Sequence, residues 1–260
     1  MSDSINIEKN LKVLVTAGAG GIGRVIAEKF HELGARIFIC DNSETALAEC
    51  ASSYPSWGFA KCDVSKSKEV DILFDSVEKF FGGLDVLINN AGIAGPTSAI
   101  EDMVLDDWNR TIEINLNGQF YCARRAIPML KKSNNASLIC ISSVAGRLGY
   151  AFRTPYAATK WAIIGLMKSL AIELGPDGIR VNAILPGIVE GPRIDAVIEA
   201  RSKEMNISFK EMEKQMIDKV SLRKMVTSED VANQAVFLCS SLGRNISGQP
   251  ISVCGNVEVL

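Results

Sequence analysis

Residues 11–34 read LKVLVTAGAGGIGRVIAEKFHELG. The first seven form an apolar, β-branched run that is typical of a buried strand. Four glycines follow at once, Gly18, Gly20, Gly21 and Gly23, and residues 25–33 have the spacing of an amphipathic helix that ends at Gly34. A strand, a glycine turn and a helix in this order predict a dinucleotide-binding loop, because glycines admit a pyrophosphate and the helix N-terminus presents free N–H groups to it. A glycine-rich βα turn without a ligand stays open as the alternative.

The second predicted strand, residues 36–41, ends in Asp41. A carboxylate at that place accepts hydrogen bonds from both hydroxyls of an adenosine ribose and repels a 2′-phosphate. Asp41 therefore favours NAD over NADP. Arg24 favours the reverse, because a guanidinium near the same pocket could pair with the phosphate. A helix cap is the structural alternative for Asp41.

Tyr156 and Lys160 lie four residues apart in the run TPYAATK, residues 154–160. On a helix this spacing places both side chains on one face. The ammonium group favours the phenolate and lowers the pKa of the tyrosine from its ordinary value of about 10. Such a tyrosine can take a proton from an alcohol near neutral pH. The alternative is an exposed pair without a chemical role.

Strands and helices alternate along the whole chain. The patterns predict strands near residues 11–17, 36–41, 57–62, 85–89, 136–142, 179–185 and 250–254. They predict helices near residues 22–33, 44–53, 67–81, 106–131, 155–175, 195–219 and 229–240. This alternation predicts a single α/β domain over residues 1–260, a doubly wound, seven-stranded parallel sheet with helices on both faces (a Rossmann fold). Ligands of such sheets bind beyond the carboxyl ends of the strands, where six polar or turn residues fall: Thr16, Asp41, Asp63, Asn89, Ser143 and Pro186.

Together these residues resemble the short-chain dehydrogenase/reductase family over nearly the whole chain. The family motif T-G-x-x-x-G-x-G stands here as residues 16–23, with Ala17 in place of the first glycine and Gly18 beside it as a partial substitute. The other matches follow in the family's order: Cys62-Asp63-Val64, Asn89-Asn90-Ala91-Gly92, Asn115, Ser143 ahead of Tyr156, and Pro186-Gly187. So many matches in the right order and spacing are hard to explain in another way.

The resemblance implies an NAD(P)-dependent oxidoreductase, with NAD preferred, that moves a hydride between the cofactor and a secondary alcohol or ketone. Tyr156 would act as general acid and base, and Lys160 would lower its pKa and hold the nicotinamide ribose. Ser143 would orient the substrate oxygen, while Ser142 bonds the backbone, and Asn115 would support a water relay. The implied cofactor contacts come from Thr16, Gly18, Gly21, Ile22, Gly23, Asp41, Asp63, Val64, Asn90, Ala91, Gly92, Tyr156, Lys160, Pro186, Gly187 and Ile188.

Residues 191–220 form a charged stretch longer than an ordinary loop of this fold. In the family this region is a substrate lid over the active site; a solvated helix pair is the alternative. Gly191 stands where the family has a threonine, so that a contact on the nicotinamide side is lost or rebuilt. Arg147, Arg153 and Arg193 flank the expected cleft, and three guanidinium groups could clamp a carboxylate, sulfonate or phosphate. They predict a small polar or anionic secondary alcohol, unless they pair with the acids of residues 195–213.

The composition describes an ordinary globular chain of 260 residues, with 47% apolar residues and a formal net charge of −2. It predicts neither a nucleic-acid nor a membrane partner, and the polar start Met1-Ser2-Asp3-Ser4 predicts no signal peptide. The seven cysteines are scattered without a C-x-x-C pair, which predicts reduced thiols and a cytoplasmic protein. His31 is the one histidine, and no metal is expected.

The resemblance also implies a homotetramer, or a dimer, that packs through helices 106–131 and 155–175. The run Trp161–Met167 is apolar on more than one face and needs a second partner. Two other functions stay open. A cofactor-binding regulator or scaffold of this fold would show little turnover of a panel of alcohols with NAD. A nucleotide-sugar epimerase or dehydratase usually has a longer C-terminal substrate domain, and only about six residues follow the last predicted strand here.

Overall fold

The fold is built on one sheet of seven strands. A computed structural model describes residues 5–257; the polar start Met1–Ser4, on which the absence of a signal peptide was predicted, lies outside the described residues. The strands are β1 Lys12–Thr16, β2 Arg36–Asp41, β3 Gly58–Lys61, β4 Val86–Asn89, β5 Ser137–Ile141, β6 Arg180–Pro186 and β7 Pro250–Val253. They pair in the order β3-β2-β1-β4-β5-β6-β7, and all six pairings are parallel. The predicted doubly wound α/β sheet is confirmed.

Helices cover both faces of this sheet. They are α1 Gly21–Glu32, α2 Glu44–Ser53, α3 Ser67–Phe81, α4 Leu105–Ile112, α5 Gly118–Leu130, α6 Thr154–Leu174, α7 Pro192–Glu204, α8 Phe209–Asp218 and α9 Ser228–Cys239. In β1, Leu14 faces the core under α3, α5 and α6, whereas Val13 and Val15 face the core under α1, α2 and α9. Because each central strand is buried on both faces, its sequence reads as a continuous apolar run rather than an alternation.

Helix α1 packs along α9, near the other end of the chain. Lys29 of α1 and Glu229 of α9 form an ion pair, with Nζ and Oε1 2.9 Å apart. A capping box starts α9: the Thr227 side chain accepts a hydrogen bond from the Asp230 N–H, and the Asp230 carboxylate accepts one from the Thr227 N–H. The first helix therefore completes its packing only against residues 228–239.

Two predicted helices differ in the structure. A π-helical turn, Glu113–Asn117, interrupts the predicted helix 106–131 between α4 and α5. The predicted helix 195–219 is two helices, α7 and α8. Asn206 adopts the left-handed conformation, with φ of 52°, and the Ser208 hydroxyl caps α8 by accepting a hydrogen bond from the Glu211 N–H. The spacing Ser208-x-x-Glu211 is itself a signal for a helix start.

Helices α7 and α8 rest on a third apolar core. Its buried members are Ile188, Ile198, Met212, Met216, Val220 and Val257. This core ties the 191–220 segment to the chain that leaves β6, so the segment is packed rather than fully solvated. All seven cysteines are free thiols, and six of them are buried. Within residues 5–257, no helix has both the length and the apolar character needed to cross a bilayer.

Candidate active site

A cavity of about 420 Å³ opens beyond the carboxyl ends of β1, β4, β5 and β6. Parallel strands bring these ends to one edge of the sheet, so residues far apart in sequence meet there. Ser143, Tyr156 and Lys160 all border the cavity, and the 191–220 segment forms one of its walls. Three of the four predicted catalytic side chains therefore share one site.

Helix α6 carries Tyr156 in its first turn and Lys160 one turn later. Pro155 suits that first turn, because a proline lacks the N–H that would have no partner there. The Lys160 Nζ lies 5.6 Å from the centroid of the Tyr156 ring and donates a hydrogen bond to the Ile141 carbonyl oxygen at 2.9 Å. The ammonium group is thus anchored to the end of β5, beside the phenol.

The charges around Tyr156 favour its phenolate. Burial raises the pKa of Tyr156, but the charges of Lys160, Arg193 and Arg153, together with a hydrogen bond from Ser143, outweigh it, so that the pKa lies below the ordinary value of 10. Burial lowers the pKa of Lys160 to about 8. A tyrosine with this environment can act as a base toward an alcohol.

Ser142 and Ser143, which follow β5, make different contacts. The Ser142 hydroxyl donates to the carbonyl oxygen of Lys160 at 2.8 Å, which is the backbone bond predicted for it. The Ser143 hydroxyl accepts a hydrogen bond from the Ala145 N–H at 3.1 Å and is within hydrogen-bonding reach of Tyr156. Its proton can therefore be given to an oxygen in the cavity.

Asn115 lies in the π-helical turn and is fully buried. Its side-chain oxygen accepts from the Ile93 N–H at 2.7 Å, and its Nδ2 donates to the Ile93 carbonyl oxygen at 3.0 Å. A longer contact of 3.3 Å joins Nδ2 to the Thr159 hydroxyl. Because the protein itself uses the side-chain amide, a water relay at this place would depend on the backbone of the π turn, whose carbonyl pairing differs from that of an α-helix.

The glycine turn contains a left-handed residue that is not glycine. Ala17 has φ of 50°, whereas Gly18 is not left-handed. Gly18 therefore does not take over the conformation of the missing glycine. Packing requires it instead, since a Cβ there would lie 2.7 Å from the Ile39 side chain. At Gly23 a Cβ would lie 2.2 Å from the Ala17 carbonyl oxygen, so α1 can start this close to β1 only with glycine.

The start of α1 has room for a pyrophosphate. A Cβ added at Gly20 or Gly21 would meet no atom within 4 Å, and both glycines border the cavity together with Ile22. The first N–H groups of a helix have no partner inside the helix and are available to an anion. The residues present therefore fit the phosphate part of a dinucleotide.

Thr16, which ends β1 just before the glycine turn, is hydrogen-bonded to the segment that follows β4. It is fully buried, and its hydroxyl accepts hydrogen bonds from the N–H groups of Asn90 and Ala91, each at 2.9 Å. The Asn90 amide also donates to the carbonyl oxygen of Thr16 at 2.9 Å. Of the other predicted cofactor residues, Asn90, Gly92, Pro186, Gly187 and Ile188 border the cavity.

Asp41, the last residue of β2, joins the glycine turn to the loop before α2. Its carboxylate accepts hydrogen bonds from the N–H groups of Ala19 at 3.2 Å and Ser43 at 3.1 Å. The Arg24 guanidinium is engaged elsewhere, in an ion pair with Glu28 in which Nε and Oε1 are 2.8 Å apart. Asp41 does not border the cavity, and among the described residues no cation is bound to its carboxylate. Its contact with an adenosine ribose stays a prediction.

Asp63 has a partner that the sequence patterns did not predict. Burial raises its pKa, but hydrogen bonds from Ser65 and Arg110 outweigh it and hold the pKa below the ordinary value. The Arg110 Nη2 lies 2.9 Å from the carboxylate. Val64, beside it, is buried against Gly118. Neither Asp63 nor Val64 borders the cavity, so their contact with the cofactor stays a prediction.

Known proteins resemble this chain over nearly its full length. A family model described as "Enoyl-(Acyl carrier protein) reductase" matches residues 17–256. A tropinone reductase homolog of Arabidopsis thaliana is 35% identical over 256 residues, covering 96% of this chain and 94% of that protein. The chain belongs to the short-chain dehydrogenase/reductase family.

Solved structures place both nicotinamide cofactors in this family. NAD+-bound xylitol dehydrogenase is 28% identical with a TM-score of 0.91, covering 95% of this chain and 99% of that one. A variant of actinorhodin polyketide ketoreductase with NADPH is 29% identical, also with a TM-score of 0.91, covering 96% and 98%. This short-chain dehydrogenase/reductase is accordingly an NAD(P)-dependent oxidoreductase.

The predicted substrate arginines do not all meet at the cavity. Arg147 is exposed and donates to the Ser252 hydroxyl at 3.2 Å and to the Pro250 carbonyl oxygen, both on β7. It does not border the cavity, contrary to the prediction. Arg193 is exposed at the cavity rim and donates to the Gly92 carbonyl oxygen at 3.2 Å.

Arg153, in contrast, is buried in the wall of the cavity. Its Nη2 donates to the Ala94 carbonyl oxygen at 2.5 Å. Two residues beside it were missed, Tyr150, which borders the cavity, and Arg201, which packs against the Tyr150 ring. A signal for Arg201 existed in the sequence, because it continues the helical spacing of the apolar residues Ile194, Val197 and Ile198 and so puts a charge on an apolar stripe.

Proposed function

We propose that this protein transfers a hydride between NAD and a secondary alcohol or ketone, and that its substrate is a small polar or anionic hydroxy compound. The observation that carries the proposal is the Tyr156 phenol, which borders the cavity with its pKa held below the ordinary value beside Lys160 and Ser143. Acid–base chemistry at an alcohol needs such a group.

Several residues of the chain have different roles around the reacting carbon. When bound, the nicotinamide cofactor accepts or returns the hydride. Tyr156 Oη takes the proton of the alcohol hydroxyl in one direction and gives it back in the other. Ser143 donates a hydrogen bond to the oxygen on which charge develops. Lys160 favours the phenolate and would hold the nicotinamide ribose, while Asn115 fixes the π turn on which a water relay would depend.

The preference for NAD follows from Asp41. Its carboxylate would accept hydrogen bonds from the ribose hydroxyls and would repel a 2′-phosphate. The one cation predicted to favour NADP, Arg24, is bound to Glu28. The pyrophosphate would lie at Gly20, Gly21 and Ile22, at the start of α1.

The preference for an anion follows from the cavity arginines. Arg153 and Arg193 border the cavity, and within residues 5–257 neither forms an ion pair with the acids of residues 195–213. A guanidinium without a carboxylate partner can serve a substrate instead.

Turnover with a panel of secondary alcohols and ketones, with NAD and NADP in parallel, tests this function. Tyr156→Phe should reduce kcat by roughly 10²–10⁴-fold, because it removes the acid–base group, and should leave cofactor binding intact. Tyr54→Phe is the matched control, since the Tyr54 hydroxyl bonds Glu28 and lies away from the cavity. Near-native kcat in Tyr156→Phe, or no turnover of any alcohol by the native chain, would overturn the proposal; the second result would favour a cofactor-binding regulator.

We further propose a homotetramer, or a dimer, built on the surface of α4, α5 and α6. Four apolar side chains on these helices are well exposed: Leu105, Phe120, Trp161 and Ile172. Free thiols at all seven cysteines agree with the predicted reducing compartment, the cytoplasm.

A further inference from the structure

Two arginines are almost completely buried beside the same tyrosine. Arg153 is 2% exposed and Arg201 is 6% exposed. Their guanidinium carbons lie 5.2 Å and 5.0 Å from the ring centroid of Tyr150. Charged side chains are almost never fully buried unless they are paired, so two of them at one place point to a ligand.

Neither arginine is fully satisfied by the described part of the chain. Arg153 donates to Ala94 through Nη2, but its Nε has no acceptor. Arg201 has no acceptor for either Nε or Nη1. Contact with an aromatic ring recovers only part of the cost of burying an unpaired charge. Arg153, which borders the cavity, can give its free donor to an anion. The free donors of Arg201 leave a positive charge uncompensated behind Tyr150.

The charges around this pair have the same sign. Burial lowers the pKa of Arg153, and the charges of Arg193 and Arg201 lower it further. Burial and the charge of Arg201 likewise lower the pKa of Lys219. Among the described residues that border the cavity, Glu190 is the one carboxylate, and it is exposed. This end of the cavity is therefore electropositive and attracts anions.

The two arginines come from different parts of the fold. Arg153 precedes α6, and its guanidinium carbon lies 5.2 Å from the Tyr156 ring centroid. Arg201 lies on α7, one turn beyond Val197, which borders the cavity. Arg201 does not border the cavity itself and approaches it behind Tyr150. An anion on Arg153 is thus close to the acid–base group, which limits the substrate to a few carbons between hydroxyl and anion.

Building on the proposed function, we propose that Arg153 and Arg201 form an anion subsite for a carboxylate or sulfonate group of a short hydroxy substrate. Arg153 contacts the anion directly, and Arg201 acts from α7 across the Tyr150 side chain. Arg201 is then a specificity-determining residue, and Arg147 takes no part.

The turnover test compares matched charged and neutral alcohols. The probes are 3-hydroxybutanoate, 2-hydroxypropane-1-sulfonate and the neutral methyl ester of 3-hydroxybutanoate. Arg201→Met should raise KM for the two anions by roughly 10-fold, because it removes one of the two buried positive charges that attract the anion, and should change turnover of the ester by less than about threefold. Arg201→Lys should keep most of the preference. Arg147→Met, which removes a guanidinium outside the cavity, is the matched control and should change nothing.

Two outcomes of this comparison would overturn the subsite. In the first, the native chain turns over the neutral ester as efficiently as the acid. In the second, Arg201→Met loses the same fraction of activity with the charged probes and with the neutral probe. Equal loss would mean that Arg201 only positions α7. A larger effect on the sulfonate than on the carboxylate, or the reverse, identifies the anion.

Thermal unfolding tests the subsite without turnover. Methanesulfonate or acetate should raise the Tm of the native chain and should not raise that of Arg201→Met, because ligands stabilise the state that binds them. Without ligand, Arg201→Met should unfold no earlier than the native chain, since an apolar side chain replaces a buried unpaired charge. A lower Tm would indicate a structural clamp and would contradict the subsite. If no alcohol is turned over but the anion shift is seen, the proposed function fails and the subsite stands.

Discussion

Tyr156 is subject to opposing influences on its acidity. Burial alone would raise its pKa, and the three nearby cations and Ser143 reverse the direction. The largest of these favourable influences is the charge of Lys160, which the bond to Ile141 holds in place. The acidity of Tyr156 is thus set by contacts from β5, α6 and α7 together.

The pH dependence of alcohol oxidation should reflect this balance. Oxidation needs the base form of Tyr156, and a lowered pKa makes that form available at lower pH, so kcat/KM should rise with pH around a midpoint below about 10. Lys160→Met removes the largest lowering charge and should move the midpoint upward, because burial then dominates. Stopped-flow measurement of hydride transfer across pH checks this. A midpoint that stays in place in the variant would contradict the assigned role of Lys160.

Cofactor choice should depend on the charge of Asp41. NAD should bind at least about tenfold more tightly than NADP, because a 2′-phosphate would face a like charge. Asp41→Ala should reduce the difference between the affinities for NAD and NADP. Asp41→Asn is a second variant, since it removes the charge and keeps one of the two oxygens that accept hydrogen bonds from the Ala19 and Ser43 N–H groups. Titration of both cofactors by calorimetry measures the ratio, and equal affinities in the native chain would refute the assignment.

Ala17 stores backbone strain in the glycine turn. Its left-handed conformation costs about 1–2 kcal/mol for a residue with a Cβ. Ala17→Gly removes this cost but loses about 0.4–1 kcal/mol through the freer unfolded chain, and it also loses the contacts of a partly buried methyl group. We expect a net gain of about 0.5 kcal/mol, or a rise in Tm of about 1–2 °C.

The neighbouring glycine provides the control for this prediction. Gly18→Ala should lower the Tm, because its Cβ would collide with the Ile39 side chain. Differential scanning calorimetry of the ligand-free variants measures both changes. A lower Tm for Ala17→Gly would show that its methyl contact outweighs the strain.

At the level of elements, the strands were the most predictable part. Each central strand is buried on both faces, so its composition alone marks it. The π turn at Glu113–Asn117 was not predictable: its residue Asn115 is paired with Ile93, which lies in a loop 22 positions earlier in the chain. The break between α7 and α8 was predictable from Ser208 and Glu211 and was overlooked, since the charged residues on both sides continue a helical pattern.

In the candidate site, too, features set by neighbouring residues were predictable, whereas contacts between distant elements were not. Tyr156 and Lys160 follow from one helical turn, and the glycine turn follows from consecutive residues. The pairing of Arg110 with Asp63 and the packing of Arg201 on Tyr150 join elements far apart in sequence. Arg147 was placed wrongly for the same reason, because nothing near it in sequence indicates that β7 lies within its reach.

On the scale of the whole molecule, apolar side chains remain exposed on the helices of one face. Leu105 is 77% exposed and Ile172 is 80% exposed. We expect association through this surface, so that the mass in solution at micromolar concentration should be that of a tetramer or dimer. Light scattering after size-exclusion chromatography measures it. A strictly monomeric mass would contradict the expectation.

A pair of variants locates the association surface. Phe120→Glu combined with Ile172→Glu should lower the mass, because each places a charge in a buried interface. Ile72→Glu is the control: Ile72 is 66% exposed on α3, outside the proposed surface, and the change should leave the mass as it is. If Ile72→Glu lowers the mass as much as the double variant does, α3 contributes to the interface.

The packing of α1 on α9 has a consequence for how the chain is made. Lys29 and Glu229 are 200 positions apart, so the first helix leaves the ribosome long before the residues that cover it exist. At about 5–20 residues per second, this interval lasts roughly 10–40 s. During that time the side of α1 that packs on α9 has no cover, and it is a part of the chain on which a chaperone would act.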